Sequence, residues 1–174
     1  VELVEYITKT DALQGGAFTD VKAGDYYLSA VDWALDKAVT SGTSNTTFSP
    51  NAACTRAQAV TFLWRAAGSP EPTATTTAFT DVKEGSYYYK AVLWAVENSI
   101  TSGATETTFA PDATCTRSQI VTFLYRMEKS PEATAENPFT DVKAGAFYEN
   151  AVLWAVKENI TTGATATTFD PAGD

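Results

Sequence analysis

The sequence predicts an all-α fold, a bundle of helix–loop–helix repeats joined by long threonine-rich loops. Three observations carry that prediction. The 174-residue chain repeats itself at offsets of 61 and 60. Every copy contains apolar residues spaced as one face of a helix, and the first two copies run on into a signature that starts a second helix. Little sequence is left over for strands.

The repeat is read first, because a fixed period decides the architecture. Phe18-Thr19-Asp20-Val21-Lys22 returns as Phe79-Thr80-Asp81-Val82-Lys83 and as Phe139-Thr140-Asp141-Val142-Lys143. Trp33, Trp94 and Trp154 keep the same register, as do Phe48, Phe109 and Phe169. The units are residues 18–78, 79–138 and an incomplete 139–174, preceded by residues 1–17.

Taken in order, Val1-Glu2-Leu3-Val4-Glu5-Tyr6-Ile7 resembles the latter part of a second-type helix. It stands before Phe18 much as Val121 stands before Phe139. The first helix of repeat 1 is expected to bury one stripe made of Tyr27, Ala30, Val31, Ala34, Leu35 and Ala38. Its sisters offer Tyr88, Ala91, Val92, Ala95 and Val96, then Tyr148, Ala151, Val152, Ala155 and Val156. Gly42, Gly103 and Gly163 follow, where a left-handed residue is expected to close the helix. A threonine-rich loop then leads to Phe-x-Pro, at Phe48-Ser49-Pro50, Phe109-Ala110-Pro111 and Phe169-Asp170-Pro171.

The second helices start at Thr55-Arg56-Ala57-Gln58 and Thr116-Arg117-Ser118-Gln119, which read as capping boxes. Gly68 and Pro70 stop the first of them, and Pro131 ends the other. Residues 69–78 and 127–138, rich in Pro, Thr, Ala and Glu, are inter-repeat linkers. One helical pair of this size cannot bury its own stripe, so the repeats are expected to share a central bundle. The third stripe has no second helix after it. Exposing several large side chains costs about 1.5–3 kcal/mol each. Residues 1–10 are therefore expected to be helical and to take the place of the missing helix, in the same chain or a neighbouring one. Self-association through this helix and the incomplete third repeat is one consequence. A cut between repeats, which would make the segment a remnant, is the other reading.

Composition bounds the function. Apolar residues make up 44% and charged ones 19%, which supports a packed core over disorder. A net charge of −9 argues against a nucleic-acid or anionic-membrane partner. No apolar run reaches the roughly 18–20 residues of a membrane helix. The chain starts at Val1 without a basic start or apolar leader, so a signal peptide is expected to have been removed or the chain to be a fragment. Low charge and abundant Thr fit an exported bacterial protein. The absence of histidine removes Ser-His and Cys-His catalysis, and with unsuitable cysteine spacing it argues against zinc. No cofactor is implied. Paired carboxylates are a route to glycan cleavage, but here the acidic residues recur with the repeat, as architecture does. An enzyme is not expected.

The order F-T-D-V-K, helix with Trp, I-T-S-G loop, T-F-x-P-D and T-R-x-Q before an apolar helix resembles the S-layer homology (SLH) domain. The resemblance covers nearly all of residues 18–174, and three tandem copies are usual in that family. It implies a pseudo-threefold, three-pronged helical unit, secreted and held at the bacterial cell surface. It also implies binding of secondary cell-wall polysaccharide in grooves between repeats, often through a terminal pyruvylated N-acetylmannosamine. A self-assembling or protein-binding surface scaffold is the competing function. Three features depart from the family pattern. T-R-A-E is replaced by T-R-A-Q and T-R-S-Q, the loop glycines by Thr43–Thr46 and by Ala104–Thr107, and the third copy stops at Asp174.

Arg56 and Arg117 sit at the first helical position, where a cation opposes the helix dipole and needs a partner. One reading gives them, with the free amides of the first turn, a carboxylate such as a pyruvyl group. On that reading, Arg→Ala weakens glycan binding and leaves the fold intact. The other pairs them with Asp20, Asp81 or Asp141 of an adjacent repeat. Those aspartates are themselves candidate turn or cap residues, and the resemblance places their equivalents near the glycan groove. Trp33, Trp94 and Trp154 are candidates to stack on a sugar, although the edge of an amphipathic stripe more often joins the core. Cys54 and Cys115 occupy equivalent positions and read as small buried thiols, with a bridge between them as the alternative.

Overall fold

Helices of two lengths alternate along residues 17–174, the part of the chain that the computed structural model describes. The short ones, α1 (Leu28–Asp36), α3 (Tyr89–Glu97) and α5 (Glu149–Lys157), are the first helices of the three repeats. The longer α2 (Arg56–Ala66) and α4 (Arg117–Met127) are the second helices of the first two. Among the described residues there is no strand, and extended backbone pairs only at one antiparallel bridge between Thr55 and Thr114. The fold class is all-α, with long irregular loops.

Each short helix stops by the same device. In α3, the Ser99 N–H donates to the Val96 carbonyl at 2.9 Å and the Ile100 N–H to the Ala95 carbonyl at 2.8 Å, with Ser99 left-handed at φ 59°. This is a Schellman ending. Ala38 (φ 55°) and Asn159 (φ 56°) end α1 and α5 likewise. The expected closing role of Gly42, Gly103 and Gly163 is thus corrected. Ala38 lies beyond its helix, and it, Ala30 and Val96 are exposed rather than in the buried stripes.

The glycines do a different job. Gly103 has φ 96°, and a Cβ there would stand 2.5 Å from both the Phe79 ring and the Thr105 carbonyl. Its missing side chain lets the F-T-D phenylalanine lie against the loop. Gly103→Ala is therefore expected to destabilise by about 2–4 kcal/mol, combining left-handed strain with overpacking. Gly85→Ala, also at positive φ but with nothing within 4 Å of the added carbon, should cost clearly less. Equal losses in denaturant titrations would contradict this account.

The described chain divides into two compact units, residues 17–52 with Arg65–Ser69, and Ala53–Trp64 with Pro70–Asp174. The first is centred on Phe18, Val21 and Val31, with Leu28, Leu35 and Phe48 packed around them. In the second, one core joins Ala59 and Val60 of α2, Ala91, Val92, Trp94 and Ala95 of α3, and Phe123 of α4. A neighbouring core joins Val121, Leu124 and Tyr125 of α4 to Ala151, Val152, Trp154 and Ala155 of α5. Each second helix here packs on the first helix of the following repeat. The third stripe is therefore not left bare: Ala151, Val152 and Ala155 are at most 1% exposed, with α4 against them. The cover for which residues 1–10 were expected is supplied by α4. Residues 1–10 themselves, and the helix expected there, lie outside the described residues.

Candidate functional site

Asp81 reaches across its own loop. Its carboxylate accepts the Phe109 N–H at 2.8 Å and the Ala110 N–H at 2.7 Å. Asp20 takes the amides of Phe48 and Ser49, and Asp141 those of Phe169 and Asp170, in the same two-oxygen pattern. The three aspartates are thus not caps of the first helices, whose N-cap residues Tyr27, Tyr88 and Tyr148 carry no side-chain cap bond. They tie the start of each repeat to its Phe-x-Pro segment.

Donation by backbone amides favours the charged carboxylate. The Phe48 amide foremost, with help from Ser49, holds Asp20 below its ordinary value of 3.8. The Phe169 amide foremost does the same for Asp141, with the Arg117 charge adding a smaller effect. Folded values below the unfolded one give stability that is complete above the ordinary carboxylate pKa and lost as pH falls through the depressed values. Melting temperature should accordingly drop below about pH 4, and Asp141→Asn should flatten part of that drop. An identical acid profile in the variant would contradict the role of Asp141.

The capping boxes form as the sequence implies. The Thr55 N–H donates to Gln58 Oε1 at 2.8 Å while the Gln58 N–H donates to Thr55 Oγ1 at 3.2 Å, and Thr116 and Gln119 repeat the pattern. The first-turn amides, however, are not free. The Arg56 N–H donates to the Ala113 carbonyl at 2.9 Å and the Ala57 N–H to the Pro111 carbonyl at 3.0 Å. In α4, the Arg117 and Ser118 amides donate to the carbonyls of Gly173 and Pro171. An anion held by exposed helix amides is therefore corrected: the loop of the next repeat already occupies them.

The arginine side chains grip the same loops. Arg56 Nε donates to the Phe109 carbonyl at 2.8 Å, and its guanidinium lies 4.9 Å from the Phe109 ring centre and 5.6 Å from that of Phe123. The Phe109 peptide is thus held from its N–H side by Asp81 and from its carbonyl side by Arg56. Arg117 repeats this at Phe169, with a 2.9 Å bond to the carbonyl and a 4.9 Å approach to the ring. A direct Arg–Asp pair is not formed: the ion pairs among the described residues are Lys37–Asp36 and Lys90–Glu71.

Arg56 is 5% exposed, and its Nη2 is buried with no hydrogen-bond partner among the described residues. Burial pulls its pKa below the ordinary arginine value. A buried charged donor without an acceptor is costly, so it stands ready for one. The loop that Arg56 holds also contributes residues 110–113 to a pocket of about 410 Å³, completed by Asp81, Lys83 and Tyr88; Arg56 itself does not line it. It includes Pro111 and Ala113, whose carbonyls receive the first-turn amides of α2.

The tryptophans divide. Trp94 and Trp154 are 7% and 6% exposed and belong to the two cores, so the expectation that they stack on a sugar does not hold for them. Trp33 is half-buried. Among the described residues the exposed aromatics are instead Tyr26, Tyr87 and Phe147, each edge-on to the following tyrosine at 5.0 Å. They fall outside the helical stripe and so escape a periodicity reading, although their recurrence at the repeat offset was visible. Lys83 and Asp112 of the pocket were likewise not marked as site residues, even though Lys83 belongs to the repeated F-T-D-V-K block, and Tyr88 was read only as part of the helical stripe.

The model of the S-layer homology domain matches residues 17–60, 78–121 and 138–174. The chain is 35% identical over 109 residues to an endoglucanase of Bacillus sp. (strain KSM-635), covering 63% of this chain and 11% of that protein. It is 34% identical over 103 residues to the surface-layer 125 kDa protein of Lysinibacillus sphaericus, covering 59% of this chain and 9% of that one. A third relative, the S-layer protein of Bacillus thuringiensis subsp. finitimus, is 23% identical over 172 residues, 97% of this chain and 21% of its own. The chain therefore spans a small share of the length of these curated relatives.

Proposed function

Because the chain belongs to the S-layer homology domain family, whose members anchor proteins at the bacterial cell surface, we propose that it binds secondary cell-wall polysaccharide through an anionic substituent, a pyruvyl carboxylate foremost. The anchoring units of this reading are the repeats 18–78, 79–138 and 139–174. The observation that carries it is the unpartnered Nη2 of buried Arg56, whose clamped loop lines a pocket together with Lys83 and Tyr88. A carboxylate supplies the acceptor that this donor lacks, in a charge-assisted bond stronger than a neutral one. Arg117 offers a second, half-buried copy of the geometry.

In this proposal Asp81 and Asp141 are positioning residues, since their oxygens are engaged by backbone amides and they shape the loop that Arg56 and Arg117 hold. Charged groups committed to holding loops suit recognition better than bond cleavage, so the module is read as non-catalytic. Binding through a few buried cations also fits a protein of net charge −9, whose surface as a whole repels anions. The test is the affinity of the protein for purified wall polymer before and after its pyruvyl groups are removed.

A further inference from the structure

We propose that Cys54 and Cys115 form an intramolecular disulfide when the protein meets a small oxidising disulfide at the cell surface, cross-linking the entry of α2 to the loop that precedes α4. Both thiols are free in this structure. Their placement follows from the single bridge between Thr55 and Thr114. That bridge is flanked by two backbone bonds, from the Cys115 N–H to the Cys54 carbonyl at 2.7 Å and from the Arg56 N–H to the Ala113 carbonyl at 2.9 Å. In antiparallel register this sets Cys54 directly opposite Cys115. Directly opposed residues of an antiparallel pair stand about 4.5–5.5 Å apart between Cα atoms, with side chains on the same face. Disulfides span roughly 4.4–6.8 Å between Cα atoms. Both cysteines also pack in one core, with Cys115 1% exposed and Cys54 partly accessible.

The compartment agrees, since disulfides form and persist at cell surfaces. The order of events follows from burial. The accessible Cys54 loses its proton, attacks the small disulfide and releases one thiol, giving a mixed disulfide. Cys115 then loses its proton and attacks the Cys54 sulfur, releasing the second thiol. Two electrons pass from the cysteine pair to the reagent, which leaves as two thiols. Burial raises the pKa of Cys54 and pushes Cys115 up to about 11, so the thiolates are scarce near neutrality and closure should quicken as pH rises. Cys54 immediately precedes the capping Thr55 and Arg56, so the cross-link would fix the helix end that carries the clamp.

The experiment is incubation of the intact protein with oxidised glutathione at mildly alkaline pH, followed by mass spectrometry under denaturing conditions. The expected product is a monomer lighter by two hydrogens, with no alkylatable thiol and a linked pair of peptides containing Cys54 and Cys115. Its melting temperature should exceed that of the reduced protein. A glutathione adduct that persists on Cys54, a covalent dimer, or two thiols that still alkylate on unfolding after prolonged oxidation would each overturn the proposal.

Discussion

Phe109→Ala is expected to remove about 3–5 kcal/mol of stability, the range for emptying a buried aromatic site. The phenylalanine is 0% exposed and is the largest fully buried side chain among the described residues. Its ring packs 6.0 Å from that of Phe79 and lies under the Arg56 guanidinium at 4.9 Å. Alanine would leave a cavity in the larger core and strip the apolar face from a buried cation. The matched control is Phe48→Ala, because Phe48 occupies the same repeat position but is only half-buried. Urea titration should therefore show a much smaller shift for Phe48→Ala. Equal shifts would mean that burial does not distinguish the two repeats.

Arg56→Lys should be the most informative binding variant. Lysine keeps the charge but loses the Nε–H bond to the Phe109 carbonyl, the planar contact with two rings and the fork that presents Nη2. Loss of one charge-assisted contact costs about 1.5–3 kcal/mol, so affinity for wall polymer should fall roughly tenfold to a hundredfold. Some stability should fall with it, since the Phe109 carbonyl loses its donor. The expectation from sequence, that Arg→Ala would leave the fold intact, is replaced by a predicted loss of stability. Affinity must be read well below the variant's melting temperature. A folded Arg56→Lys protein that binds as well as the parent would remove Arg56 from the site.

What could be read from the sequence was what is local. The boxes at Thr55–Gln58 and Thr116–Gln119 were legible because donor and acceptor lie within one helical turn. The stripes of α3 and α5 were legible, except at exposed Val96 on the last turn of α3, because helical period reports burial directly. Asp81 was misread because the amides it serves are 28 and 29 residues away. Arg56 was assigned an open helix end because nothing in its own repeat covers that end; the carbonyls that do belong to Pro111 and Ala113 of the next repeat. Gly103 was rightly marked for a left-handed backbone, but the reason is the Phe79 ring lying against it, a contact without a local signal. The cover of α5 was missed similarly, because α4 belongs to the preceding repeat.

On the proposed function, an anionic group of the wall polymer is recognised through the buried arginine clamp. Titration calorimetry of the intact protein with purified secondary wall polymer, native and stripped of pyruvyl groups, tests it most directly. Saturable binding of the native polymer that falls at least tenfold on removal of those groups is the predicted result, with Arg56→Lys insensitive to their presence. Equal binding of the two polymers by the parent protein would contradict the claim.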